Sequence, residues 1–125
     1  MSETLSPRDV VQKLVDGIAA GRFTELAELH AEEAVVETVF EPVGPRRFEG
    51  RATLKQRFAQ VSASSPVELT PVNVVVRETD DAEVVVAEFD CQVYHRVTGR
   101  TFTSSNIQVL RVRDGLIAAR TTTTS

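Results

Sequence analysis

Two side chains of this sequence could handle a proton or an anion in a pocket: His30 and Arg120. His30 continues the helical spacing of Phe23, Leu26 and Ala27, which predicts that the imidazole lies on an apolar face. An imidazole titrates near neutral pH, so such a position suits either a general acid or base or a hydrogen-bonded core residue. His30 is therefore a candidate catalytic residue, with the structural role as the alternative.

Arg120 lies in the last predicted strand. Its guanidinium could either bind a ligand carboxylate or pair with a protein acid, for which Glu32 and Glu37 are the candidates. The amide of Gln108 could donate to a ligand oxygen or satisfy a neighbouring backbone group. Cys91 is the single cysteine, and we interpret it as a small core side chain, because nothing near it in the sequence favours a reactive thiolate.

The composition predicts one globular domain over residues 1–125 and argues against several classes of protein. The net charge of −4 and the pI near 5.2 come with no basic stripe, so no nucleic-acid partner is expected, and the short "PRR" at 45–47 is interpreted as a solvated turn. Asp80 and Asp81 fit a turn better than a metal site. No signal peptide or membrane-length apolar run is found, so we expect a cytoplasmic protein without a membrane partner.

Three helices are predicted in the first half of the chain. The first begins at a Ser6 cap followed by proline and ends before Gly21. The second runs from Phe23 to His30, and the third follows Gly50, carries Phe58 in its apolar stripe and ends at "SASSP". These elements would have to pack their apolar stripes against a sheet.

Strands are predicted where side chains alternate. The segment "AVVETVF" puts Thr38 and Phe40 on the same side of a strand. Four further strands are expected at 67–77, 84–95, 101–113 and 116–124. The turns "TDDA", "RVTG" and "RDG" between them favour consecutive hairpins, with the threonine run as the last strand. The chain is therefore predicted to be α+β, with helices on one face of a curved antiparallel sheet.

Three stretches, "GRFTELAELHAEEAVVE", "RRFEGRATLKQRF" and "IQVLRVRDGLIAAR", resemble the SnoaL-like and ketosteroid-isomerase-like branch of the nuclear-transport-factor-two-like superfamily. They are similar to the family's second helix with its first strand, its glycine-led third helix and its closing hairpin. The resemblance implies a cone in which the sheet wraps around three N-terminal helices and encloses an apolar pocket, usually in a homodimer. Because this fold hosts isomerases, cyclases, lyases and proteins without catalysis, the residues must decide the function.

The standard isomerase residues are missing at the positions that the resemblance aligns with them. Thr38 occupies the position of the carboxylate base, Leu14 that of the tyrosine, and Gln108 that of the oxyanion acid. A threonine hydroxyl is not an appreciable base at neutral pH, and leucine donates no hydrogen bond. We therefore expect no steroid isomerisation by the standard mechanism. The last strand, "RTTTTS", also lacks the aromatic residue and the acid found at the corresponding place in the family's cyclases.

Strand alternation then gives a pocket, provided that Gln108 points into the cone. The expected ligand-binding residues are Thr38, Phe40, Phe58, Phe89, Cys91, His95, Asn106, Gln108, Arg120 and Thr122. The ligand would be a small apolar or aromatic molecule with an oxygen acceptor, bound without a cofactor or metal. Ile107 and Val109 would face outward and favour a homodimer.

Two functions follow from that pocket and stay open. The first is a cyclase, isomerase or lyase acting on a polyketide- or steroid-like substrate, with His30 and Gln108 as weak catalytic candidates. The second is a non-catalytic ligand-binding or accessory protein of the same fold. A titratable group with a strongly shifted pKa deep in the cone would favour the enzyme, whereas a pocket of amides, hydroxyls and apolar groups would favour binding alone.

Overall fold

The computed structural model describes residues 5–38, 46–64 and 67–124, and within them it shows two long helices, one short helix and a curved sheet of six strands. The helices are α1 Pro7–Ala19, α2 Phe23–Leu26 and α3 Arg51–Ser64, with a 3-10 turn at Ala27–Leu29 after α2. The strands are β1 His30–Thr38, β2 Arg46–Glu49, β3 Val67–Glu78, β4 Val84–His95, β5 Thr101–Arg113 and β6 Leu116–Thr124.

Helix α1 starts as its sequence predicts. The Ser6 hydroxyl accepts a hydrogen bond from the backbone N–H of Asp9 at 3.2 Å, and Pro7 occupies the first turn, where no backbone donor is needed. The apolar stripe, which includes Val11 and Leu14, is buried against the sheet. The cap therefore fixes where the helix begins, and the stripe fixes which face it buries.

The second predicted helix is shorter than expected. A single α-turn passes into the 3-10 turn, and His30 has the extended backbone angles φ −104° and ψ 146° that begin β1. The His30 ring lies 2.8 Å from the carbonyl oxygen of Leu26, so the side chain satisfies an acceptor that a continuing helix would have bonded through its backbone. The predicted second helix from Phe23 to His30 is therefore α-helical only over Phe23–Leu26, and its placement of His30 in a helix was wrong.

The sheet has the strand order β2-β1-β6-β5-β4-β3. Strands β3 to β6 form the predicted antiparallel meander, and β4, β5 and β6 have the predicted bounds. The β1–β6 pair is parallel, whereas all other described strand pairs are antiparallel. Strand β2 pairs antiparallel with β1, so Arg46 and Arg47 of the "PRR" segment are exposed strand residues and the prediction of a turn there was wrong.

The core lies between α1 and the inner face of β4, β5 and β6. On β5, Gln108 and Leu110 are buried, whereas Ile107 and Val109 remain 48% and 44% exposed. This alternation confirms the predicted facing of the strand. A smaller cluster, formed by Ala34, Val36 and Leu54, packs β1 against α3.

Candidate functional site

An apolar cavity of about 240 Å³ lies between the helices and the inner face of the sheet. A larger depression of about 430 Å³ is bordered by polar and charged residues such as Arg8 and Asp80, so the apolar cavity is the better candidate for a small-molecule site. None of the described residues that line the apolar cavity is acidic. They are Leu14, Ile18, Phe23, Leu26, Val36, Thr38, Phe48, Leu54, Arg57, Phe58, Leu69, Arg120 and Thr122.

The polar side chains of the cavity are positioned by cross-strand register. Thr38 of β1 pairs with Thr122 of β6, which pairs in turn with Gln108 of β5. Directly paired residues in a sheet face the same side, and so do residues two apart on one strand. Arg120 is therefore held on the inner face next to this row, between Val36 of β1 and the core of β5.

The Arg120 guanidinium is held by neutral groups. Its Nε donates to Nε2 of His30 at 3.3 Å, and its Nη1 donates to Oε1 of Gln108 at 3.4 Å and to Oγ1 of Thr122 at 3.5 Å. These distances exceed the roughly 2.9 Å of a well-formed hydrogen bond. In the described part of the chain, Nη2 makes no hydrogen bond, so two N–H donors remain for another acceptor.

No carboxylate of the described residues lies within 4.0 Å of the Arg120 guanidinium. Of the two expected partners, Glu32 is exposed, and Glu37 pairs with Arg47 at 3.6 Å. Burial lowers the pKa of Arg120 to about 10, which still leaves the guanidinium protonated at neutral pH. The cavity wall therefore carries a partly buried positive charge without a described counter-ion.

His30 is fully buried and hydrogen-bonded at both ring nitrogens. A carbonyl oxygen can only accept, so Nδ1 carries the proton that is donated to Leu26, and Nε2 accepts from Arg120. Burial, the positive charge of Arg120 and, to a smaller extent, that of Arg51 lower the pKa of His30 to about 4. His30 is thus neutral at physiological pH and orients Arg120 from behind, without lining the described cavity wall.

Two further polar groups face the cavity. Oγ1 of Thr38 is buried and has no hydrogen-bond partner among the described residues. Arg57 of α3 lies over the aromatic ring of Phe48, with 5.7 Å from its Cζ atom to the ring centroid. No carboxylate in the described ranges pairs with Arg57 either. The cavity therefore combines an apolar wall with two cations and an unpartnered hydroxyl.

The predicted ligand-binding residues divide into two groups. Thr38, Phe58, Arg120 and Thr122 line the cavity, and Gln108 stands behind it in contact with Arg120. Gln108 is 4% exposed, and its amide oxygen accepts from the guanidinium, so its described contact is to the protein.

The other predicted residues are not among those that the structure places around this cavity. Phe89 and Cys91 are buried on the inner face of β4, where burial raises the pKa of the cysteine thiol. His95 ends β4, Asn106 pairs with Phe89 across the β4–β5 ladder, and neither lines the described cavity wall. Phe40 lies outside the described residues.

Arg57 and Phe48 were missed by the sequence reasoning. Arg57 stands three residues after Leu54, within the helical spacing of the α3 stripe, so a cation at an apolar position was the available signal. Phe48 lies in β2, which was not predicted and depends on pairing with β1. Their placement depends on the packing of β1, β2 and α3, which follow one another in the chain.

The described residues bring together no group of three or more histidine, cysteine, aspartate or glutamate side chains that could hold a metal ion. No helix found there is long and apolar enough to cross a membrane.

Comparison with known proteins places this geometry in a family context. The profile of the SnoaL-like domain matches residues 11–120. An uncharacterized Bacillus subtilis protein, YesE, is 36% identical over an alignment of 95 residues that covers 72% of this chain and 61% of that protein.

Solved structures show the same fold. A "putative isomerase" from Bacillus subtilis has a TM-score of 0.82 at 24% identity, over 95% of this chain and 86% of that one. A "putative polyketide cyclase" from Xanthomonas campestris pv. campestris has a TM-score of 0.77 at 20% identity, over 94% of this chain and 88% of that one. These likenesses establish the fold, whereas the chemistry depends on the residues of this cavity.

Proposed function

Since this chain belongs to the SnoaL-like family and has the nuclear-transport-factor-two-like fold, we propose that it binds a small apolar, oxygenated molecule of the polyketide- or steroid-like class and acts on it as a cofactor-independent isomerase or cyclase. The proposal is carried by the position of the Arg120 guanidinium, which faces an apolar cavity. Its Nη2 makes no hydrogen bond within the described residues. In such surroundings a fixed cation stabilises negative charge on a substrate oxygen far better than water does.

The reaction would proceed through an enolate. Arg120 donates from Nη2 to a carbonyl oxygen of the substrate, which acidifies the adjacent C–H bond. A water molecule takes that proton, and the electron pair of the C–H bond moves onto the carbonyl oxygen. Return of that proton from the hydronium ion to another carbon of the enolate completes an isomerisation. Alternatively, the enolate carbon attacks a second carbonyl, the π electron pair of that carbonyl moves onto its oxygen, and the alkoxide so formed takes up the proton, which closes a ring as an alcohol. The standard steroid isomerase mechanism is excluded from this proposal, because Thr38 and Leu14 occupy the positions of its base and phenol.

Exchange of α-hydrogens for deuterium in 2-tetralone, a two-ring ketone, tests this chemistry by proton NMR. We expect the protein to accelerate the exchange, and Arg120→Gln to slow it by about tenfold or more, because the variant removes the charge that stabilises the enolate. Arg113→Gln is the matched control, since Arg113 lies on the same hairpin but outside the cavity. Equal exchange in Arg120→Gln and in the parent protein would contradict the proposed role of Arg120.

Non-catalytic binding is the second candidate, and one observation favours it. Both nitrogens of the His30 ring are engaged in hydrogen bonds, and the described cavity wall carries no carboxylate to serve as a base. If 2-tetralone binds without faster exchange, the chain is a binding or accessory protein.

We also propose that the chain forms a homodimer through the outer face of the sheet. This face exposes large apolar side chains, 42% to 48% accessible, that a partner sheet could cover. They are Val75, Tyr94, Ile107 and Val109. Light scattering should give twice the mass of the chain, and Ile107→Lys should give the single mass. A monomeric parent protein at micromolar concentration would refute this proposal.

A further inference from the structure

The two arginines of the cavity differ from most arginines of this chain. Seven others each have a carboxylate within 4.0 Å. They are Arg8, Arg22, Arg47, Arg77, Arg96, Arg111 and Arg113. Arg57 and Arg120 instead face the cavity, where no described carboxylate pairs with either. The chain has a net charge of −4 and therefore more acidic than basic residues, yet the fold places none of the described carboxylates beside Arg57 or Arg120.

Burying a cation among neutral groups is unfavourable unless something compensates the lost hydration. The three contacts of Arg120 to His30, Gln108 and Thr122 are 3.3 to 3.5 Å long, whereas charge-assisted hydrogen bonds to an anion are typically about 2.7–2.9 Å. The protein therefore aims the guanidinium without neutralising it. A ligand anion would supply the better acceptor, with Nη2 as its donor.

A second polar group points to the same place. Oγ1 of Thr38 is buried without a described hydrogen-bond partner, and Thr38 lies beside Thr122 in the row next to Arg120. A hydroxyl next to a guanidinium can donate to one oxygen of a carboxylate while the guanidinium donates to the other.

The rest of the cavity fits a compact ring system. Phe48, Phe58 and Leu54 form an apolar wall, and Arg57 lies over the Phe48 ring. The volume of about 240 Å³ is below the roughly 300–1,000 Å³ of pockets for drug-sized ligands. One or two rings are therefore favoured over a four-ring skeleton.

We propose that the ligand class is a carboxylic acid of one or two rings, bound as its anion, with the carboxylate on Arg120 and Thr38 and the ring against Phe48 and Phe58. This inference rests on the function proposed above and narrows it, because Arg120 then recognises an acidic group of the ligand as well as stabilising charge that develops on it. Arg57 adds positive potential to the same cavity and assists binding of the anion.

Isothermal titration calorimetry with two probes of equal shape tests the inference. The probes are 2-naphthoate, which is anionic, and 2-naphthamide, its neutral counterpart. We expect the parent protein to bind 2-naphthoate at least about tenfold more tightly, which corresponds to a single charge-assisted contact. The preference should vanish in Arg120→Gln, weaken in Arg57→Gln and persist in the matched control Arg113→Gln.

The outcomes separate this inference from the function on which it rests. If the parent protein binds 2-naphthamide as tightly as 2-naphthoate, the anion inference is wrong and the proposed pocket function stands. If 2-naphthoate, 2-naphthamide and 2-tetralone all fail to bind, the proposed function fails as well. The comparison of the two naphthalene probes uses the parent protein, so it decides the question even if Arg120→Gln does not fold.

Discussion

The β5–β6 hairpin carries arginines in two contrasting environments. Near its turn, Arg111 and Arg113 donate to Glu83 at 2.8 to 3.0 Å, and Arg111 also reaches Asp81 at 3.1 Å. These side chains are substantially exposed to solvent. Further along β6, Arg120 is partly buried and contacts only neutral groups among the described residues.

The contrast separates a structural role from a functional one. Near the turn the chain supplies both the arginines and the carboxylates, so these ion pairs form without any other molecule. Exposed ion pairs of this kind contribute little to stability. In the cavity the described residues supply positive charge only, which is the charge that the proposed anionic ligand would neutralise. Solvent exposure alone would have drawn attention to the arginines near the turn and away from Arg120.

The largest effect should come from the packing that surrounds the cavity arginine. Leu14 is 1% exposed, belongs to the α1 core cluster and lines the cavity. Leu14→Ala should lower the free energy of unfolding by about 2 to 5 kcal/mol, because it removes buried methyl groups and leaves a larger void. Urea unfolding measures this change, with the exposed Val97→Ala as the control. A cost below about 1 kcal/mol would mean that α1 does not pack as described.

The next effect is a dependence of folding stability on pH that comes from His30, which lies behind the cavity. The pKa of His30 is lowered from 6.5 to about 4, so the unfolded chain binds more protons than the folded one between those values. Stability should therefore fall as the pH drops from 6.5 towards 4, by up to about 3 kcal/mol in total. NMR titration should show the low pKa, and Arg120→Gln should raise it by removing a nearby positive charge.

The control for that pH dependence is His95→Gln, which should retain the loss of stability in this range. If the loss persists in His30→Gln instead, another group is responsible for it.

A smaller effect is expected from the residue that holds Arg120 in place. Gln108→Leu keeps a similar volume but removes the amide oxygen that accepts from the guanidinium. Affinity for 2-naphthoate should fall by about three- to tenfold, less than in Arg120→Gln, because the charge remains and only its orientation is loosened. Calorimetry with the parent protein as reference measures the change. Unchanged affinity would remove Gln108 from the group that positions Arg120.

The smallest effect belongs to the paired arginines at the turn. Hydrogen bonds from Arg113 and Arg111 lower the pKa of Glu83 from 4.5 to about 2. The stabilisation from this carboxylate is present above pH 4.5 and is lost as the pH falls towards 2, a range below that of His30. It should be slight, because solvent screens the exposed pairs. NMR titration should show the pKa of Glu83 rising in Arg113→Gln, and an unchanged value would contradict the described pairing.

Sequence patterns predicted those features of the fold that neighbouring residues determine. The Ser6 cap, the alternation of β5 and the turns before β5 and β6 were read correctly because neighbouring residues specify them. The tertiary site was only partly accessible in this way. His30 followed a helical spacing, yet its ring bonds the carbonyl of Leu26 and its backbone begins a strand. Strand β2 has only four residues, too few to show a clear alternation, and it depends on pairing with the preceding strand β1.

Pairing between β1 and β6 has a further consequence for how the site forms. His30 and Arg120, which meet across this parallel pair, are separated by 90 residues along the chain. Forming a contact of such long range requires closing a long loop, which costs conformational entropy before the contact stabilises the chain. Contacts of this kind therefore slow folding. The meander of β3 to β6 can assemble from neighbouring hairpins, but β1 gains its parallel neighbour only after β6 has been synthesised. We therefore expect the cavity to be completed late in folding, because its wall takes residues from both β1 and β6.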